Sequence, residues 1–200
     1  MSTVIAVVLA AGESRRMGRP KMTLPWGEST VIVEVVNTLI QAGVGTVNVV
    51  TGGHRQEVEQ ALKERIDSSH LCLVHNPDFA NGEMLRSLQV GLEAAEDDVQ
   101  AAMIAIGDQP QMQVEIVKRV LQVYQQNHAA LVFPSYQMHR GHPWIVDRRL
   151  WAQLCALQPP QTLRDFTRIN EHSIEYLLVD NDSIFQDMDT PEDYERIRPV

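Results

Sequence analysis

Cysteine is nearly absent from this chain: Cys72 and Cys155 stand far apart, and neither has a second cysteine nearby. That excludes a CxxC zinc or redox site and offers no disulfide framework. Positive charge is also short, with 17 Lys and Arg against 26 Asp and Glu and a net charge of -9. Such a balance argues against nucleic acid or an anionic membrane as the main partner. No run of apolar residues approaches the length of a membrane span, and the first one, Met1 to Leu9, is too short for a signal peptide and has its charges downstream. The expected location is the cytoplasm. Neither GxxxxGK[ST] nor GxGxxG occurs, so the chain carries no P-loop and no dinucleotide fingerprint. Repeats and low-complexity linkers are missing too, and the one Pro-rich break, Leu157–Gln161, is too short to separate domains. A length of 200 residues with 44% apolar content fits a single soluble globular domain over residues 1–200.

What is present is a regular alternation. Thr3–Ala10 is continuously apolar and β-branched, as a strand covered on both faces would be. A helix follows over STVIVEVVNTLIQAGV, with Ser29 as its N-cap and Gly43 as its stop. The strands Thr46–Gly53, Leu71–Asn76 and Ala101–Pro110 then alternate with helices over RQEVEQALKERI, LRSLQVGLEAAE and Val114–Gln126, before a further strand, AALVFPSY. Beyond it come a turn at HRGHP, a helix over Arg148–Leu157, a strand at SIEYLLV and a closing helix after DTPED. Four strand–helix alternations predict a doubly wound α/β fold with a mainly parallel sheet. In such sheets ligands bind beyond the carboxyl ends of the strands, and each unusual polar cluster falls there: LAAGESRRMGRPK, TGGH, HNPDFANGE and GDQP.

The first of these loops is cationic in an acidic protein. Arg15, Arg16, Arg19 and Lys21 face only Glu13, a local balance of +3 in a chain of net charge -9. Small Ala10, Ala11 and Gly12 allow backbone N–H groups to approach an anion, Ser14 adds a hydroxyl, and Arg15, Arg16 and Lys21 bring charge to phosphates. The alternative is a solvated basic loop on a glycine turn. Asp108, ending a buried strand, suits either the cap of the next helix or a Mg²⁺ ligand shared with phosphate oxygens. Near the C-terminus, Thr190-Pro191-Glu192-Asp193 is a helix start, which leaves Asp187 and Asp189 to be explained as metal ligands or as part of a solvated acidic tail. His139 and His142 have no third ligand nearby, and a tight turn on Gly141 and Pro143 accounts for their segment.

LAAGESRRMGRPK resembles the signature LAAGxSxRMGxPK of the MobA-like nucleotidyltransferase superfamily that includes the molybdenum cofactor cytidylyltransferases. IGDQP, RGHP and DMDTPED follow in that family's order, so the resemblance runs along essentially the whole chain. It implies a three-layer, Rossmann-like nucleotidyltransferase fold, with CTP as donor and a molybdopterin-type phosphorylated acceptor. A molybdoenzyme or its chaperone is implied as a further partner. Carried over residue by residue, it implies a nucleotide site at Leu9, Ala10, Ala11, Gly12, Ser14, Arg15, Arg16, Lys21, Gly53 and Ser87. Mg²⁺ would sit on Asp108, Asp189 and Asp187, and Arg140, His142 and Arg164 would contact the acceptor. Lys21, Arg16 and Asp108 would act in catalysis: Lys21 on the α-phosphate, Arg16 on the departing β- and γ-phosphates. Ala11 and Pro20 match the cytidylyl-transferring members, where the guanylyl-transferring ones carry Gly and Asp.

Two segments depart from the pattern. NGEMLRSLQVGL resembles GMxxSLxxGL, but Glu83 stands where the family has Gly; PPQTLRDF replaces GDxGxR and keeps only Arg164. Transfer onto a sugar or polyol phosphate, another nucleotide donor, or a non-catalytic carrier of the molybdenum cofactor are the alternatives. The attacking phosphate is already an anion at pH 7, so the expected chemistry needs no general base. It consists of positioning and charge stabilisation.

Overall fold

A computed structural model describes residues 3–80, 84–186 and 188–199. The chain begins with strand β1 (Val4–Ala10). A two-strand ribbon follows, β2 (Pro25–Trp26) paired with β3 (Ser29–Thr30), and then helix α1 (Val31–Gln41). Next come β4 (Val47–Thr51), α2 (Arg55–Lys63), β5 (Leu71–His75), α3 (Met84–Glu93), β6 (Ala101–Ile106) and α4 (Val114–Asn127). The second half holds β7 (Leu131–Tyr136), β8 (His139–Arg140), β9 (Trp144–Asp147), α5 (Trp151–Cys155), α6 (Leu163–Ile169), β10 (Ile174–Leu178) and α7 (Pro191–Ile197).

The main sheet runs β10-β7-β9-β6-β1-β4-β5, with β8 added beside β7. β1 pairs in parallel with β4 and β6, β4 with β5, and β10 with β7, whereas β9 is antiparallel to both its neighbours. The mainly parallel α/β sheet with helices on both sides is therefore present. β1 lies at its centre and explains its own composition. Ala6, Val8 and Ala10 join the core under α1, α2 and α4, while Ile5, Val7 and Leu9 join the core under α3, α5 and α6. Both faces are covered, so every residue of the run is apolar.

Three local readings change. Thr30, not Ser29, precedes α1, because Ser29 is paired with Trp26 in the small ribbon. The helix expected over Arg148–Leu157 is a 3-10 turn at Arg148–Leu150 followed by the short α5. β9 and α6 were not anticipated. Gly43 does end α1 at a left-handed φ of 98°, and Thr190 caps α7 by accepting from the Asp193 N–H at 3.2 Å. Among the described residues no helix is long and apolar enough to cross a membrane.

α3 is seated close enough on the sheet to deliver its N-terminal turn to the strand ends. A Cβ at Gly91 would overlap the Val7 side chain and come within 2.9 Å of Val50 Cγ2, so only glycine allows this approach. Asn48, buried in β4, locks the contact by donating to the Gly91 carbonyl at 3.2 Å.

Candidate active site

The loop after β1 is shaped by its own polar groups. Ser14 takes a left-handed φ of 53°, and its carbonyl accepts from the Met17 and Gly18 N–H groups at 3.0 and 3.2 Å. Its hydroxyl oxygen accepts from the Lys21 backbone N–H at 3.1 Å. Ser14 thus folds the loop back and sets the start of the Lys21 turn. The second loop lies against the first: the Gly53 N–H donates to the Ala11 carbonyl at 3.3 Å.

Lys21 is the centre of the charge arrangement. Its ammonium pairs with Asp108, at the end of β6, and lies 3.3 Å from Asp189 Oδ1, in the segment leading to α7. Arg16 reaches the other Asp189 oxygen at 2.8 Å from an exposed position. Lys21 and Asp108 have side chains only 13% and 8% exposed, so this pair is shielded from solvent in a way that the Arg15–Glu13 pair, on an outward-facing arginine, is not. Burial alone would pull the Lys21 pKa down, but the Asp108 and Asp189 carboxylates outweigh it and hold it above the ordinary lysine value. Lys21 is therefore a committed cation. The backbone of Asp189 is fixed in turn, its N–H donating to Asp193 at 3.3 Å within the α7 cap.

Two carboxylates far apart in the sequence, one mid-chain and one near the C-terminus, thus converge on one positive charge. Hard oxygens gathered at a single cationic point fit a divalent ion of the Mg²⁺ or Mn²⁺ kind, which takes one or two carboxylates and completes its shell with phosphate and water. Among the described residues no group of three His, Cys, Asp or Glu side chains forms a metal cluster. Asp187, read as a further ligand, lies outside the described residues, as does Glu83.

Two cavities open at the strand ends and share Met84 and Ile106 in their walls. The smaller, 210 Å³, is lined by Leu9, Ala11, Gly12, Lys21, Ser87 and Asp108, together with Phe79 and Met22. Ala10, Ser14, Arg15, Arg16 and Gly53 are not in its wall. Ala10 is buried in the core beneath, and Arg16 stands at the Asp189 side. The larger cavity, 560 Å³, brings Arg140, His142 and Arg164 together, from β8, the turn after it and α6. Asp108 and Gln109, consecutive in sequence, serve the smaller and the larger cavity respectively.

The larger cavity is aromatic on one side. Phe133 and Trp144 stack at 4.8 Å between centroids and 13° between planes, and Phe185 adds a third ring to the lining. Arg140 lies 5.6 Å over Phe133 and 5.3 Å over Tyr176, and its guanidinium also donates to the Tyr176 hydroxyl. Arg164 has no ion-pair partner among the described residues. His142 brings no charge: burial pulls its pKa down to about 4, against the raising effect of the Ile104 carbonyl 3.4 Å from Nδ1. With Nδ1 donating to that carbonyl, Nε2 carries a lone pair, so the ring can receive a hydrogen bond from an N–H but cannot pair with a phosphate.

The segment carrying Asp189 is held to this cavity by Gly141. A Cβ there would overlap the Ile184 carbonyl oxygen and come within 2.6 Å of Ile184 Cβ, while the His142 N–H donates to the Ile184 carbonyl at 2.7 Å. Several wall residues were not read from the sequence. Phe133 and Trp144 look like ordinary strand aromatics, and Phe79 sits in the HNPDF loop, whose position at a strand end was the only available signal.

A mainly parallel sheet with a cationic loop after β1 and an Asp just beyond β6 has a nucleotidyltransferase-like fold. Residues 6–175 match the MobA-like NTP transferase domain, and the chain belongs to that family. It is 28% identical to the molybdenum cofactor cytidylyltransferase of Escherichia coli (strain K12), over 97% of this chain and 95% of that one. It is also 27% identical to the nicotine blue oxidoreductase of Paenarthrobacter nicotinovorans, over 97% and 96% of the two chains. Among solved structures, a manganese complex of Rv0371c from Mycobacterium tuberculosis H37Rv superposes with a TM-score of 0.79 at 25% identity, covering 98% of each chain.

Proposed function

We propose that this protein transfers a CMP unit from CTP to the terminal phosphate of a molybdopterin-type cofactor, with release of pyrophosphate. The observation that carries the reading is the pair of adjoining cavities, one beside Lys21 and Asp108 and the other beside Arg140 and Arg164, meeting at Met84 and Ile106. The smaller takes the donor and the larger the acceptor. An acceptor phosphate oxygen attacks the α-phosphorus, the bond to the bridging α–β oxygen breaks, and that oxygen leaves with pyrophosphate. Lys21 neutralises charge growing on the α-phosphate, and Arg16 holds the departing phosphates. Asp108 and Asp189 would hold a divalent cation, Mg²⁺ in this reading, which when bound would screen the negative charge of the triphosphate. No residue has to remove a proton from the attacking phosphate, which is ionised at neutral pH.

Stacked Phe133 and Trp144 in the wall support a flat heterocycle as the acceptor, with Arg140 and Arg164 for its anionic arm. The lone pair on His142 Nε2 supports the same choice, since a pterin ring offers N–H donors. The experiment is a screen of the four ribonucleoside triphosphates with Mg²⁺ or Mn²⁺ against phosphorylated pterin, sugar and polyol acceptors, following pyrophosphate. CTP with the pterin acceptor should give the highest turnover. Binding without pyrophosphate release would make the protein a carrier. Turnover of nicotine blue without pyrophosphate release would align it with the oxidoreductase relative.

A further inference from the structure

The two carboxylates that meet at Lys21 stand on different pieces of chain: Asp108 on the loop between β6 and α4, Asp189 on the segment between β10 and α7. Gln111, on the same loop as Asp108, ties the two pieces together. Its Nε2 lies 2.6 Å from the Gln186 carbonyl and 3.4 Å from the Ser183 carbonyl. Backbone carbonyls only accept, so the atom facing them is the NH₂ group, with a proton for each. The footing of this contact is firm, because neighbouring Met112 is buried in the same core as Ile184.

The receiving turn, residues 181–186, is shaped by its own groups. Asn181 Oδ1 accepts from the Ser183 N–H at 3.2 Å and from its hydroxyl at 2.6 Å, and the Phe185 N–H donates to the Asp182 carbonyl at 3.1 Å. Gly141 and the His142 N–H fix the same turn at Ile184. It therefore touches both halves of the site: Phe185 lines the larger cavity, and the chain runs on from Gln186 to Asp189.

We infer that Gln111 is a positioning residue for the cation site: by bracing the Asp108 loop against the turn that leads to Asp189, it sets the spacing of the two carboxylates. This role rests on the reading of Asp108 and Asp189 as ligands of a divalent cation. A small hard cation tolerates little change in the geometry of its oxygens, and losing a partner that orients a ligand costs about ten- to a hundredfold in affinity. The contacts at Ile184 do not involve Gln111, so its loss should loosen the spacing without unseating the turn.

The test measures Mn²⁺ binding without nucleotide, by electron paramagnetic resonance of the free ion, with urea unfolding as the check on folding. Gln111→Met keeps the reach of the side chain and puts a methyl group where the NH₂ group donates. It should weaken Mn²⁺ binding about tenfold, the scale of losing a group that orients a ligand. In an Asp189→Asn background the same change should weaken binding no further, because Gln111 acts through Asp189. Asn181→Ala loosens the turn from its other end and should shift Mn²⁺ affinity in the same direction by less. A folded Gln111→Met that binds Mn²⁺ like the wild type overturns the inference, as does an equal further loss in the Asp189→Asn background. Where Gln111→Met does not fold, Asn181→Ala decides, and unchanged affinity in that variant overturns the inference too. A wild type that binds no Mn²⁺ removes the cation reading itself, and the inference with it.

Discussion

Single residues carry two expectations. Lys21 occupies the point between Asp108 and Asp189 where a divalent cation would sit. Lys21→Ala should therefore lower turnover by about 10² to 10³-fold, the scale of removing one preorganised charge from a transferring phosphoryl group. It should also tighten Mn²⁺ binding measured by electron paramagnetic resonance without nucleotide, because the ammonium no longer competes for the carboxylates. Turnover close to normal would remove Lys21 from the chemistry. His142 sets a pH dependence. Its folded pKa, about 4, lies below the ordinary value of 6.5, so the unfolded chain binds the proton more readily. Stability is then complete above pH 6.5 and falls as pH drops toward 4. Urea titrations should register a loss of about 2 kcal/mol between pH 7 and pH 5 that is absent in His142→Asn. The Lys21 signal was legible as a cation in a glycine-containing loop, and Asp108 and Asp189 as candidate metal ligands, but their direct pairing with Lys21 was not. Nor was the neutrality of His142, which depends on burial beside Ile104, a residue distant in sequence.

At the scale of elements, the long strands and helices were readable because each repeats its apolar period over several turns or pairs. The short ones were not: β9 spans four residues, and α6 begins inside a Pro-containing stretch from which only Arg164 had been taken. Yet α6 announces itself by the same device as α7. Thr162 accepts from the Asp165 N–H at 3.3 Å, as Thr190 does from Asp193, and that cap directs Arg164 along the wall of the larger cavity. Arg164→Ala should raise KM for the phosphorylated acceptor about tenfold while kcat and the KM for CTP stay near wild type, since one charge-assisted hydrogen bond is lost on the acceptor side alone. An equal rise in the KM for CTP would mean that the two cavities have been assigned the wrong way round.

The whole molecule joins its two ends at the site. Met17, Leu24 and Val31 form a small separate core with Met188 and Tyr194, and the Tyr194 hydroxyl donates to the Pro25 carbonyl at 2.7 Å. That core pins the cationic loop to the segment bearing Asp189. Met188→Ala should cost about 2–5 kcal/mol by urea unfolding and should lower turnover as well, because the cavity it leaves lies directly beside Asp189. Loss of stability with unchanged turnover would separate the core from the site. The amino-acid sequence by itself determined the alternating α/β order, the central buried strand and the polar loops at the strand ends. Those follow from local periodicity, from caps and from where polar residues interrupt apolar runs. Only the tertiary structure decided that Lys21 lies between Asp108 and Asp189, that the buried Asn76 amide donates to Ser87, and that Arg140, His142 and Arg164 face one aromatic-walled cavity. Each of these joins groups far apart along the chain. Their hydrogen bonds and ion pairs depend on distances of a few ångströms that no local pattern encodes.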